Sequence, residues 1–309
     1  MTLIVAVNGP ESLWMVADQR LTFEGLPPKD DACKMMFLET TDGVAMLGYA
    51  GLGETCRGTE LADWMHNVLC GRDLGLEQCL KVLAGVMKDQ LPQHLFRLRP
   101  VGLADHHVII PAFVGGQPKL YTIDMVLAQD RSGYWFRHVR RVIGDASRPE
   151  APTARLAVGG SGTSALLALP GWKRNLLNLI KAHDTGRISA NAVSGYLAGI
   201  NHAVHLATKD GTVGPKCMVA WRYRKSGAHT PRGHASSHQY FTGTTRESCG
   251  VSIPSIGGGL PMNKVFEVFM SHAVKGWEGI RAGGPPQIDD DALTADLNKI
   301  PVKPDEDLR

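Results

Sequence analysis

Near the start of this chain stand three side chains whose types and spacing could carry out acyl transfer: Thr2, Asp18 and Lys34. Thr2 is a small second residue, compatible with trimming of Met1, and trimming leaves a threonine whose own α-amine is free. Such a residue holds nucleophile and base together. The hydroxyl attacks a carbonyl carbon, and the amine, with an ordinary pKa of roughly 7.7–8.0, accepts the proton directly or through water. A lysine ammonium beside that hydroxyl favours its deprotonated form and depresses the amine pKa, while an aspartate beside the lysine holds it in place. Taken alone, Asp18, Arg20 and Lys34 also read as a surface ion-pair group, and many chains begin Met-Thr. The chemistry therefore depends on elements that bring the three residues to one place.

Those elements are legible as periodicities. Thr2–Val7 is β-branched and apolar, Asn8-Gly9-Pro10-Glu11 supplies a turn, and Ser12–Ala17 reads as a second strand. After the loop Gly25-Leu26-Pro27-Pro28, the apolar runs Cys33–Leu38 and Val44–Tyr49 flank Thr41-Asp42-Gly43, a hairpin signal. Asp18 then ends the second strand and Lys34 opens the third, positions that converge on the first residue of strand one in a hairpin-built sheet. Leu61, Trp64, Met65, Val68 and Leu69 recur at helical spacing, as do Leu76, Leu80, Leu83, Val86 and Met87. Two consecutive helices are predicted, the second ending before Pro92 or soon after it.

Further strands are predicted at His107–Val114, Leu120–Met125, Tyr134–Val142 and Arg155–Val158. Helices follow over roughly 164–181, with a break at Pro170-Gly171, and over 189–207, before a strand at Cys217–Tyr223. Antiparallel strands with segregated helix pairs predict an α+β chain of two packed sheets with helices outside, not alternating βαβ units. Residues 225–262 are rich in Ser, Thr, His and Gly, with one amphipathic helix expected at Asn263–Val274 and a Pro-rich acidic end from Gly283. The expected division is a domain over residues 1–224 and a partly flexible C-terminal extension over 225–309.

Composition narrows the classes. The chain has 309 residues and 33.4 kDa, 43% hydrophobic and 20% charged, which suits a sizeable core and excludes disorder as its main state. It has no apolar run of about 18 residues and no basic segment ahead of its first apolar stretch, so neither a membrane span nor a secretory signal is expected. A soluble, cytoplasmic protein is the expectation. Its six cysteines form no CxxC pair, which argues against a zinc ribbon or redox motif and for reduced, buried thiols. The net charge of +3 is uneven: over residues 282–309 seven acids face three bases, leaving a diffuse positive excess elsewhere. That excess falls short of the clustered basic face of a nucleic-acid binder.

Thr2-Leu3-Ile4-Val5-Ala6-Val7, then Val16-Ala17-Asp18-Gln19-Arg20, then Lys34, then Gly48-Tyr49-Ala50-Gly51 together resemble a known family. The likeness is to the N-terminal half of proteasome β-type subunits and bacterial HslV-like peptidases, which are N-terminal-nucleophile (Ntn) hydrolases. Val158-Gly159-Gly160-Ser161-Gly162 resembles the family's Gly-Ser-Gly at the entrance to its third helix, and Asp210-Gly211-Thr212-Val213-Gly214-Pro215 resembles the loop before its last core strand. The resemblance spans roughly residues 2–224. It implies a four-layer αββα sandwich and a threonine peptidase working through an acyl-enzyme. Thr2 would be the nucleophile, Asp18 and Lys34 its charge partners, and the Gly51 N–H the oxyanion donor, worth a few kcal/mol. Ser161 would sit near the amine, with Asp210 as partner of the amine or of Ser161. It further implies a peptide or amide substrate, a homo-oligomer (a ring or another assembly), and neither cofactor nor metal. Gln19 stands where the family has a small residue, segment 97–155 is longer, and residues 225–309 have no counterpart in the compact peptidases.

Other readings stand beside this one. Gly159-Gly160-Ser161-Gly162 before a helix could cradle a phosphate, although it lacks the Gly-Lys-Ser/Thr ending of a P-loop. His229, His234 and His238 could be metal ligands, but they lie in a Gly/Ser-rich segment that reads as a solvated loop. The run Trp135–Arg141 alternates as an edge strand would. As function classes, a proteasome-like scaffold or binding subunit without peptidase activity and a small-molecule amidase remain alternatives. The sequence identifies no ATPase or other regulator.

Overall fold

The first two strands are apolar at successive positions because both of their faces are covered. β1 (Ile4–Asn8) and β2 (Ser12–Asp18) are buried at every residue. On one face Val5, Val7, Trp14 and Val16 pack with helical residues such as Leu176, Leu197 and Val204. On the other, Ile4, Ala6, Leu13 and Met15 pack with Met35, Phe37, Val44 and Ile109 of a second sheet. The structure is a computed structural model and describes residues 2–22, 27–98, 106–127, 134–141, 155–209, 211–224, 237–248, 250, 252–281 and 289–301.

After the first hairpin come β3 (Met35–Glu39), β4 (Gly43–Ala50), α1 (Leu61–Leu69), α2 (Leu76–Leu98), β5 (His107–Val114), β6 (Gln117–Leu127) and β7 (Tyr134–Arg141). Next are β8 (Arg155–Gly159), α3 (Thr163–Leu167), α4 (Trp172–Asp184), α5 (Ala190–Ala207) and β9 (Lys216–Tyr223). The last described elements are β10 (Ser237–Thr242), β11 (Thr245–Glu247), β12 (Ser255–Gly257), β13 (Leu260–Pro261), α6 (Met262–Arg281) and α7 (Asp290–Leu297). One sheet has the order β11-β10-β9-β2-β1-β8 and the other β13-β12-β3-β4-β5-β6-β7. All described pairings are antiparallel except β12 with β3. The chain is thus α+β with two sheets. No described helix is long and apolar enough to cross a membrane.

The apolar side chains gather in three clusters. α1 and α2 pack Trp64, Met65, Leu80, Leu83 and Met87 on Met36, Leu47, Val108 and Ile110 of the larger sheet. α3, α4 and α5 pack on the outer side chains of β1, β2 and β9. The third cluster joins the two sheets.

The elements differ from their sequence expectations at a few places. The helical stretch over 164–181 does break at Pro170-Gly171 as expected, Gly171 taking φ +70° and starting α4 afresh, and the differences lie further along the chain and in α2. α2 runs on past Pro92 to Leu98. Leu91 and His94, either side of the proline, are buried, and that packing offsets the missing N–H. α6 extends well beyond the expected Val274. The segment after Arg224 is not helix and loop alone: β10 and β11 extend the smaller sheet, and β12 and β13 the larger. β7 is an edge strand, as its alternation predicts.

Candidate active site

The site is built where the ends of four strands meet. Ile4 pairs with Ala17, so Leu3 lies opposite Asp18 one step further along. The Asp18 amide donates to the Leu3 carbonyl at 3.1 Å, and the Leu3 amide donates to Asp18 Oδ1 at 2.7 Å. The same Oδ1 accepts the Thr2 hydroxyl in a short hydrogen bond. Oδ2 accepts the backbone N–H groups of Arg20 at 3.1 Å and Gly214 at 3.2 Å. Asp18 is fully buried, and these donors satisfy both of its carboxylate oxygens.

Lys34 enters from the start of β3. Its Nζ donates to Thr2 Oγ1 at 2.6 Å, to Asp18 Oδ1 at 3.1 Å and to the Arg20 carbonyl at 2.6 Å. Three acceptors match the three N–H bonds of an ammonium. Burial pushes the Lys34 ammonium below the usual lysine range, and the Asp18 charge acts against that push. Arg20 is fixed in turn by a bidentate pair with Asp30, both bonds at 2.6 Å, and by Nη1 donating to the Gly211 carbonyl at 3.0 Å.

The other side of Thr2 is held by the turn after β8. Its carbonyl accepts the Gly162 N–H at 3.2 Å and, at a long 3.5 Å, the Ser161 hydroxyl. Ser161 also reaches Thr212 Oγ1 at 3.1 Å. Gly160 takes φ +93°, and a Cβ there would collide with the Thr2 carbonyl, so this position admits glycine on both counts.

Gly51 lies at the matching end of β4. The Tyr49 amide donates to the Lys34 carbonyl at 2.9 Å, and Gly51 follows two residues later at φ +133°. A Cβ on Gly51 would run into His106 Nδ1, which also accepts the Leu52 N–H at 3.2 Å and lies 3.0 Å from the Tyr49 hydroxyl.

The structure therefore brings Thr2, Asp18 and Lys34 into mutual contact and sets Ser161 against the Thr2 backbone. Gly51 stands at the same sheet end. Asp210 lies outside the described residues. Sequence reasoning missed the Arg20–Asp30 clamp, the Gly214 amide, Thr212 and His106. Arg20, two residues after Asp18 and with an Asp30-Asp31 pair nearby, offered a signal, as did the Asp210–Pro215 run that holds Thr212 and Gly214.

In the Gly159–Gly162 turn, the Gly162 N–H is taken by Thr2, and the helix beyond it, α3, has five residues. Of the three histidines weighed as ligands, His229 and His234 lie outside the described residues, while His238 stacks edge-on to Tyr240 with ring centroids 5.3 Å apart.

No protein-family model matches the chain, and no curated protein matches it. Some solved structures are similar. An Anbu (Gly-1) mutant from Hyphomicrobium sp. strain MC1 is 12% identical with a TM-score of 0.46, over 78% of this chain and 87% of that one. Anbu (ancestral beta-subunit) from Yersinia bercovieri is 10% identical with a TM-score of 0.40, over 72% and 81%. A helical assembly of the Anbu complex from Pseudomonas aeruginosa is 11% identical with a TM-score of 0.42, over 78% and 86%. These findings correct the expectation of a proteasome β-type or HslV-like family member: no family model matches, and the similar structures named here are Anbu proteins. The physical reason is that the motifs behind that expectation are short runs at strand ends. A buried hairpin closed by an ion pair produces the same residue types, so such runs are weak evidence of kinship.

Proposed function

We propose that this protein is an amide hydrolase whose nucleophile is Thr2, acting on a peptide or a small-molecule amide once the bond before Thr2 has been cut. The observation that carries the reading is Lys34 Nζ at 2.6 Å from Thr2 Oγ1, with Asp18 against both. Cleavage frees the α-amine as base and opens a nucleophile that is otherwise only 2% exposed. Thr2 Oγ1 attacks the carbonyl carbon as its proton passes to the amine, and the Lys34 ammonium stabilises the developing alkoxide. The Gly51 N–H is the proposed donor to the tetrahedral oxyanion, and Ser161, which reaches the Thr2 carbonyl, is the proposed neighbour of the amine. Collapse delivers the proton to the leaving amine and leaves an ester on Thr2, which water hydrolyses with the α-amine again as base.

The same reading takes the two sheets and their helices as a four-layer αββα stack, supported by the three separate apolar clusters. It takes residues 1–224 as the catalytic domain and 225–309 as an extension that adds strands to it. Among the described residues Cys33, Cys56, Cys70, Cys79 and Cys217 form no disulfide, which supports a reducing, cytoplasmic setting.

A second reading is an assembly-forming subunit without peptidase activity. It is favoured by the burial of Thr2 and by an exposed apolar stripe on α6: Phe266, Phe269, Met270, Val274 and Trp277. At 10–12% identity the similar structures lend no support to peptidase activity, and their descriptions as a β-subunit and a helical assembly stand nearer this second reading.

Intact-mass measurement before and after an electrophilic, threonine-directed inhibitor decides between the two. The hydrolase reading expects loss of Met1, one adduct on Thr2, and no adduct in Thr2→Ala. Retained Met1 or an unmodified Thr2 supports the scaffold.

A further inference from the structure

Away from the Thr2 site, a second nucleophile faces a base. Cys56 lies in the segment between β4 and α1, and His94 lies on α2 one half-turn beyond Pro92. Cys56 Sγ is 3.0 Å from His94 Nδ1, and the Cys56 amide donates to the same nitrogen at 3.3 Å. An atom that accepts a backbone N–H carries the lone pair, so the thiol proton faces a base. His94 is buried and Cys56 is half-buried, so the imidazole is held in place while the cysteine residue is only partly covered.

The other described cysteines lack this combination. Cys33, Cys70, Cys79 and Cys217 are buried, and burial pushes all four thiols up, Cys33 to about 12 and Cys79 to about 11. Buried thiols of that kind are inert, whereas a partly exposed cysteine held against an imidazole nitrogen has a base in reach of its proton.

We propose that Cys56 and His94 form a thiol–imidazole pair that exchanges with low-molecular-weight disulfides, making Cys56 a site of reversible thiolation. In the forward step His94 Nδ1 takes the Cys56 proton, and the thiolate attacks one sulfur of R–S–S–R. A Cys56–S–S–R bond forms as the old S–S bond breaks, and the departing RS⁻ collects the proton to leave as RSH. The disulfide is the only co-reactant, and a second thiol reverses the step. Cys56 lies in the segment between Gly51 and Glu60, whose Oε2 accepts the Cys33 N–H at 2.8 Å beside Lys34. An adduct at Cys56 therefore bears on the segment that frames the Thr2 site, although the proposal does not rest on the hydrolase reading.

The test is reaction of the full-length protein with glutathione disulfide, with adducts mapped by peptide mass and rates followed from pH 5.5 to 9. One fast adduct is expected at Cys56, about tenfold or more ahead of the other cysteines at pH 7. Cys56→Ser should abolish it, and His94→Asn should slow it about tenfold at pH 7. A fast adduct elsewhere, or a Cys56 adduct that forms no faster than those at the other cysteines, overturns the proposal. If His94→Asn does not fold, the wild-type rates alone decide.

Discussion

Asp18 accepts from Thr2 Oγ1, the Leu3 amide and Lys34 Nζ on one oxygen, and from the Arg20 and Gly214 amides on the other. Asp18→Asn keeps the shape but leaves the Lys34 ammonium buried without its counter-charge, and should cost about 3–5 kcal/mol in urea denaturation. Removing the second charge should give part of that back, so Asp18→Asn with Lys34→Met is expected to be more stable than Asp18→Asn alone. A double variant less stable than the single one would show that the pair is not a compensated ion pair. Gly160→Ala tests the other wall of the site. Its positive φ and the collision with the Thr2 carbonyl should cost about 1–3 kcal/mol and abolish inhibitor labelling of Thr2 in protein that still folds. Thr2, Asp18 and Lys34 were legible in the sequence because hairpin turns fix where strands end, and strand ends are where these residues stand. The Arg20–Asp30 clamp and the Gly214 amide were not, since they arise from long-range packing that no local period encodes.

At the scale of elements, the strands and most helices were readable because their apolar periods match one or two covered faces. The continuation of α2 through Pro92 was not, because local propensity forbids what burial of Leu91 and His94 enforces. Pro92 itself is exposed, so Pro92→Ala restores an N–H without losing packing and should raise stability by roughly 1–3 kcal/mol in urea denaturation. A loss of stability instead would mean that Pro92 is what seats His94. α1 carries a pH-dependent contact. Burial pushes His66 below the usual histidine range, while Asp63, Asn67 and the Ser255 backbone raise it and Lys264 lowers it further. The unfolded chain then binds the proton more readily than the native one, so stability should fall as pH drops below about 6.5 and level off once the native His66 is also charged. His66→Gln should blunt that loss, measured as the change in urea midpoint between pH 7 and pH 5.5.

For the whole molecule, the open question is what covers α6. Phe266, Phe269, Met270, Val274 and Trp277 are 64, 46, 47, 51 and 68% exposed. With aromatic side chains of about 150–250 Å² each, they leave roughly 550 Å² of apolar surface in water, near the upper limit for a monomer. The stripe recurs every three or four residues over a helix of 20 residues, while the opposite side of α6 buries His272 against Asp296 of α7 at 2.9 Å. The same stripe on a second copy, laid antiparallel across a two-fold axis, would be equally long and equally apolar and would suit this face. The pair would remove about 1,100 Å² from water, enough to clear the roughly 1,000 Å² expected of a specific interface. Purified protein should therefore run as a symmetric oligomer by light scattering, and Phe266→Asp with Trp277→Asp should shift it to a smaller species without lowering its urea midpoint, because neither side chain supports the core of one copy. A wild-type monomer at working concentration would remove self-association from the account. An oligomer unchanged by the two substitutions would keep self-association and move the interface away from α6.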